Sequence, residues 1–141
     1  MKRLLKKTDW LKNFFRDDIW ELDLEDFSKA KARAIKYLKV AACAKHFAVH
    51  SGPEAIRHEF DAVSNQKDMW ETYLPAFEAA VKEANVESFM GAYNRVNGEA
   101  ACGSKTLLVD ILRDKWGFEG HVTSDCWAIR DFHTRHMVTN T

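Results

Sequence analysis

An ammonium, an imidazole, a phenol and a carboxylate stand at Lys45, His46, Tyr93 and Asp125. Lysine and histidine donate hydrogen bonds to hydroxyls, and an ionised aspartate accepts them. A carboxylate held against an electrophilic carbon also serves as a nucleophile. None of these residues is informative alone. Ser124-Asp125, for instance, also reads as the cap of a following helix. What unites them is position, because each follows a short apolar run.

Three such runs read as strands. Val40-Ala41-Ala42-Cys43-Ala44 lacks helical period and ends at Lys45-His46. Val86–Tyr93 and Gly120–Ser124 are the second and third, running into Asn94 and Asp125. Helices are expected between them. Met69, Trp70, Tyr73, Leu74, Phe77, Ala80, Val81 and Ala84 recur at helical spacing. Asp68 and Glu71 have capping-box spacing, and Pro75 splits the segment by starting a helix of its own. Ser104 caps a helix over 105–115 that buries Leu107, Leu108, Ile111 and Leu112, and Gly117 stops it. Asn94–Gly103 is a loop with a turn at Asn97-Gly98. The order β-α-β-α-β implies neighbouring parallel strands with right-handed crossovers. Functional groups then gather at the strands' carboxyl ends, where Lys45, His46, Tyr93 and Asp125 fall.

Composition narrows the possibilities. The chain has 141 residues, with 21 basic and 21 acidic side chains and 46% hydrophobic residues, which excludes wholesale disorder. No run of 18 apolar residues is present to span a membrane. Formal neutrality argues against a nucleic-acid binder. Cys43, Cys102 and Cys126 are odd in number and widely spaced, so they read as free thiols. The neutrality hides an asymmetry: residues 1–39 carry 11 basic and 7 acidic side chains, residues 40–141 carry 10 and 14. All 6 glycines and both prolines lie in the second part, so a boundary is expected near Tyr37–Val40. The first part reads as two amphipathic helices. One has Leu11, Phe14, Phe15 and Ile19 on one face, and the other runs from Glu25 or Asp26 to Leu38. Lysines and arginines beside large apolar residues raise membrane-surface contact by residues 1–39, against which Asp9, Asp17 and Asp18 weigh.

Three runs resemble family-3 glycoside hydrolases: Ala44-Lys45-His46-Phe47-Ala48-Val49-His50-Ser51-Gly52-Pro53-Glu54, Met90-Gly91-Ala92-Tyr93-Asn94-Arg95-Val96-Asn97-Gly98 and Gly117-Phe118-Glu119-Gly120-His121-Val122-Thr123-Ser124-Asp125. Tyr73–Phe77 and Leu112–Trp116 fit as well, so the resemblance covers about Lys39 to the end. It points to the β-glucosidase and β-xylosidase branch. It implies an α/β fold, a partial (β/α)8 TIM barrel of about three parallel strands with crossover helices, after an α-helical segment over 1–38. It implies cleavage of terminal β-linked sugars with retention of configuration, Asp125 being the nucleophile. Lys45, His46, Arg57 and Tyr93 are then substrate-binding, with Arg57 the loop arginine of the sugar site. Such chemistry needs an ionised carboxylate beneath the anomeric carbon, and cations nearby favour that charge. It needs no metal or organic cofactor, and its partner is a β-linked oligosaccharide or glycoside.

Other residues weigh less. His46 and His50, four apart, have helical metal-ligand spacing, and His58 and His121 extend the set. The segment lies between a strand and Gly52-Pro53, where helical spacing does not apply. His133 and His136 are expected on a solvated face. Trp127 reads as a sugar platform or a core residue. Many family members place tryptophan directly after the nucleophile, where this chain has Cys126.

A complete barrel takes roughly 250 residues, and in this family the acid/base comes from a later domain. The expectation is therefore a truncated or chimeric piece, inactive or nearly so alone. The alternative is a non-catalytic helical membrane-surface or partner-binding module carrying a degenerate hydrolase remnant. Glucose and xylose are not distinguished, and oligomeric state is left open. A cytoplasmic location follows only if Met1 is the true start.

Overall fold

The computed structural model describes residues 41–50 and 52–140. The two expected amphipathic helices and the boundary near Tyr37–Val40 lie outside the described residues. Among the described residues, no helix is long and apolar enough to cross a membrane.

Strands β1 (Cys43–Phe47), β3 (Ser88–Gly91) and β6 (His121–Ser124) form a parallel sheet in the order β1-β3-β6. Lys45 lies opposite Met90, Met90 opposite Thr123, and Gly91 opposite Ser124. The register shifts between Lys45 and Phe47. The first strand is displaced from its expected span. Ala41 and Ala42 precede it, and Lys45 and His46 belong to the strand rather than following it. Buried Ala44 and Phe47 flank the two half-buried polar residues.

The crossovers largely follow the sequence. Helix α1 (Gln66–Asp68) continues as a π-helical turn over Met69–Tyr73 and gives way to α2 (Pro75–Lys82), with Pro75 in its first turn. The start is earlier than Asp68 and Glu71 suggested. Asn65 is the cap, its side chain accepting from the Asp68 N–H at 2.9 Å. The second crossover is a π-helix, Thr106–Lys115. Ser104 Oγ accepts from the Leu107 N–H at 3.0 Å, as its position required. Gly117 takes a positive φ of 72° at the stop. Buried Leu107, Ile111 and Leu112 form its inner face.

The segment read as loop holds more order than expected. Strands β4 (Arg95–Val96) and β5 (Glu99–Ala100) are antiparallel around Asn97-Gly98. Both turn residues have positive φ, 50° and 89°, the conformation a tight two-residue hairpin demands. Strand β2 (Asp61–Ala62) pairs with β4 in parallel, completing a small second sheet. The final helix, α3 (Ala128–Thr134), follows β6.

Aromatic rings knit the crossovers to the main sheet. Phe47 meets Phe77 at 5.1 Å and Phe89 at 5.2 Å between centroids, and Phe89 meets Phe118 at 4.9 Å, all edge to face. Such pairs add roughly 0.5–1.5 kcal/mol each beyond burial. The entry to β6 is tied by Arg113, whose guanidinium donates to the carbonyls of Phe118 and Gly120, both at 2.7 Å. Gly120 packs against the chain before β3, and a Cβ there would overlap the Glu87 carbonyl oxygen. Backbone cannot yield as a side-chain tip does. Gly120→Ala is expected to lower unfolding free energy by about 1–3 kcal/mol in urea denaturation. An unchanged midpoint would show that β3 and β6 slide apart freely at this end.

Candidate active site

The carboxyl ends of β1, β3 and β6 deliver polar groups to one place. His46 Nε2 lies 3.3 Å from Asp125 Oδ2 and 3.2 Å from Lys45 Nζ. Both members of the first contact are largely buried, their side chains 11% and 14% exposed. Asp125 follows β6 directly, and its N–H donates to the Gly91 carbonyl at 3.3 Å. The parallel ladder thus runs one step past its last paired residue and fixes the carboxylate's backbone. The Cys126 N–H donates to Asp125 Oδ1 at 2.7 Å, leaving Oδ2 for His46.

The two contacts of His46 compete. An ammonium only donates and a carboxylate only accepts. A bare Nε2 accepts from Lys45, whereas a protonated Nε2 donates to Asp125. One nitrogen satisfies one neighbour at a time. A hydroxyl, which donates and accepts, relieves that competition.

Tyr93, two residues past β3, lies close enough to the same carboxylate to feel its charge. Burial first, then the charge and hydrogen bond of Asp125, push the Tyr93 phenol above its ordinary value, while Arg57 pulls the other way. The Arg57 guanidinium carbon lies 5.1 Å from the Tyr93 ring centroid. Arg57 also pairs with Glu54, and its Nε is buried without a hydrogen-bond partner. All five residues singled out in the sequence therefore lie within one connected set of contacts: Lys45 to His46, His46 to Asp125, Asp125 to Tyr93, Tyr93 to Arg57.

Several participants were not legible. His58 lies against Tyr93, ring centroids 4.2 Å apart, and its Nδ1 contacts Asp131 Oδ2 at 2.6 Å. The sequence separation of 73 residues explains why no local pattern revealed this pair. His50 packs its ring 4.7 Å from that of His46. His136 is buried, at 4% exposed, instead of lying on a solvated face. Burial comes first in depressing its imidazole below the ordinary histidine value. Trp127 is 76% exposed, so it is no core residue, and its φ of 66° turns the chain into α3. Cys102 is different in kind. Burial pushes its thiol up to about 11, and its Sγ donates to the Ala92 carbonyl at 3.3 Å, so it is an inert filler behind Gly91. Among the described residues, no group of three or more histidine, cysteine or acidic side chains converges as metal ligands do.

Comparison with known proteins gives a consistent set. Residues 24–140 match the model of the Glycosyl hydrolase family 3 N terminal domain. That span begins ahead of the boundary expected near residue 39. A xylan 1,4-beta-xylosidase of Xylanibacter ruminicola is 52% identical over 106 residues, covering 74% of the chain and 12% of the relative. A beta-xylosidase/alpha-L-arabinofuranosidase of Medicago sativa subsp. varia is 38% identical over 107 residues, covering 74% of the chain and 14% of the relative. Among solved structures, an exo-beta-xylosidase in complex with a xylobiose aziridine activity-based probe superposes with a TM-score of 0.75 at 31% identity. That match takes in 84% of this chain and 16% of the other. A beta-glucosidase of Bifidobacterium adolescentis gives 0.65 at 39% identity over 72% of this chain and 15% of its own. The chain spans a small fraction of the length of each of these relatives.

The electrostatics predict a titration. Asp125→Asn removes the negative charge beside Tyr93 but leaves its burial. The phenol is therefore expected to titrate lower in the variant than in the parent chain, while burial keeps it above the ordinary tyrosine value. NMR of ¹³Cζ-labelled tyrosine through alkaline pH reads this directly. Coincident curves would separate Tyr93 from Asp125.

Proposed function

Because the chain belongs to glycosyl hydrolase family 3 through its N-terminal domain, we propose that it contributes the sugar-binding and nucleophilic half of a retaining β-glycosidase. Its three parallel strands are part of a (β/α)8 barrel, and the site is built at the barrel's carboxyl-terminal face. Asp125 attacks the anomeric carbon, Lys45, His46 and Arg57 hold hydroxyls of the terminal sugar, and Tyr93 orients the carboxylate. Similarity to named β-xylosidases makes a β-xyloside the first substrate to test, with the β-glucoside second.

One observation carries this reading: the Asp125 carboxylate stands 3.3 Å from an imidazole that a lysine also reaches, at the tips of three adjacent strands. Retaining hydrolysis begins with carboxylate attack and departure of the leaving group, giving a covalent glycosyl-enzyme. Water then cleaves that ester. Oδ2 is the oxygen aimed at the shared position, since Oδ1 accepts from the Cys126 N–H. The backbone N–H stabilises the orientation, so attack does not have to start from a freely rotating side chain. Lysine and histidine bonds to hydroxyls of the sugar supply binding energy that places the anomeric carbon.

The second carboxylate of this chemistry is a different matter. Glu54 pairs with Arg57, Asp131 with His58 and Glu59 with Arg135. In this reading the group that protonates the leaving oxygen comes from elsewhere in the complete enzyme. Leaving groups that need no protonation then bypass it, since dinitrophenolate departs as a stable anion.

A 2,4-dinitrophenyl 2-deoxy-2-fluoro-β-xyloside uses that property, because its fluorine slows release of the covalent intermediate. Incubation is expected to add one fluoroxylosyl group to the chain, mapped by peptide mass spectrometry to Asp125 and absent from Asp125→Asn. A label on another carboxylate, or no label on the parent chain with either the xyloside or the glucoside reagent, overturns the assignment.

A further inference from the structure

The reading above uses Tyr93 as the residue that orients Asp125, but it leaves unexplained what orients Tyr93. Tyr93 follows β3 by two residues and is not itself in a strand. A tyrosine there has two side-chain torsions: χ1 sets where its hydroxyl oxygen lies, and χ2 sets the plane of the ring that carries it. We propose that His58 is the positioning residue for Tyr93, held in place by the buried carboxylate of Asp131. This inference rests on the glycosidase reading for its catalytic meaning, but its geometry stands independently.

The observations form a closed circuit. The His58 ring lies against the Tyr93 ring, centroids 4.2 Å apart at an interplanar angle of 49°. His58 Nδ1 meets Asp131 Oδ2 at 2.6 Å. An ionised carboxylate only accepts, so Nδ1 carries the proton and donates it. Asp131 sits on α3, whose first turn begins with the Ala128 N–H donating to the Asp125 carbonyl at 3.1 Å. The path therefore runs from Asp125 through α3 to Asp131, across to His58, onto Tyr93 and back to the Asp125 carboxylate. Displacing any member strains the next.

Burial distinguishes this pair from an ordinary surface contact. Asp131 is 6% exposed, and a buried carboxylate without a donor is costly. The carboxylate therefore holds the imidazole far more firmly than a solvated one does. Its own backbone is fixed as well, because the Asp131 carbonyl accepts from the N–H groups of Arg135 at 3.0 Å and His136 at 2.7 Å. His136 is itself buried, its ring stacked on that of Phe132. The ring that His58 lies against is that of Tyr93, so in this proposal its action on the reaction passes through Tyr93.

The test uses three variants of the full chain. His58→Gln keeps a donor for Asp131 and removes the ring. Asp131→Asn keeps an acceptor for His58 and removes the charge. The double variant completes a cycle. The first readout is the ¹³Cζ titration of Tyr93, which a purely structural role would not move. Both single variants are expected to shift it downward, toward the Asp125→Asn curve, and the double variant to add little beyond either. The second readout is the rate of Asp125 labelling by the fluoroxyloside, expected to fall about tenfold while the reagent concentration at half-maximal rate changes little. His58→Phe restores a ring without the donor to Asp131: readouts that stay at the His58→Gln values support Asp131 as the group that holds the ring, and full rescue overturns that part of the proposal. Tyr93 curves that coincide with the parent's in His58→Gln overturn the proposal, whatever the labelling does. A parent chain that takes no label, with Tyr93 curves that do move, overturns the glycosidase reading and supports the positioning role.

Discussion

Everything at the site depends on the parallel register of β1, β3 and β6. Adjacent strands stand about 4.8 Å apart, and in a parallel sheet their carboxyl ends lie on one edge. Pairing of Gly91 with Ser124, and the further bond from the Asp125 N–H to the Gly91 carbonyl, carry the ladder to the edge itself. A register slip of one residue would turn Lys45, His46 and Asp125 to the opposite faces. The register is enforced from behind by packing. Ala44, Phe47 and Phe89 are all buried, and Gly91 is pressed so close to Cys102 that a Cβ would stand 2.6 Å from its sulfur. Chemistry at the edge is thus a consequence of apolar order beneath it.

The competition for His46 Nε2 follows from that same convergence. Strands β1 and β6 bring a donor, an imidazole and an acceptor closer together than one nitrogen can serve. Natural cores avoid such conflicts, since an unmet polar group in a half-buried place is costly. The conflict is tolerable if a hydroxyl-rich molecule enters. Each hydroxyl offers a proton to Asp125 or a lone pair to Lys45, and His46 is then free to serve the other.

Legibility in the sequence tracked the range of the interactions. The three strands, the cap at Ser104, the stop at Gly117 and the split at Pro75 rest on neighbours a few residues apart, and the structure contains each of them. The Asn97-Gly98 turn was read, but the hairpin it closes was not, because two-residue strands carry no periodicity. Asn65 was missed as a cap because Asp68 offered a competing local pattern. The strand tips were legible as a set only through topology, and Arg57 only through resemblance. His58 and Asp131 had neither advantage: their meeting depends on how α3 folds back after β6, which no local rule encodes.

The site's two kinds of support differ in stiffness. Lys45 and His46 are in β1, and Asp125 directly follows β6, so all three inherit the rigidity of the sheet. Arg57 and His58 belong to an irregular connection whose residues 53–56 are exposed. Phe60 packs that connection against the apolar core, while Ile56 is exposed. The connection is also tethered by polar contacts: the Arg95 N–H to the Phe60 carbonyl at 2.9 Å, the Arg95 side chain to the Glu59 carbonyl at 3.3 Å, Arg135 to Glu59, and His58 to Asp131. Arg95, Glu59, Arg135 and His58 are exposed or part-buried, and exposed ion pairs contribute little. The buried Asp131 is therefore the firmest polar tether the connection has. Local opening should begin in this connection rather than in the sheet. Lys45, His46 and Asp125 are thus the most rigidly held of the clustered groups, and Arg57 and His58 the least.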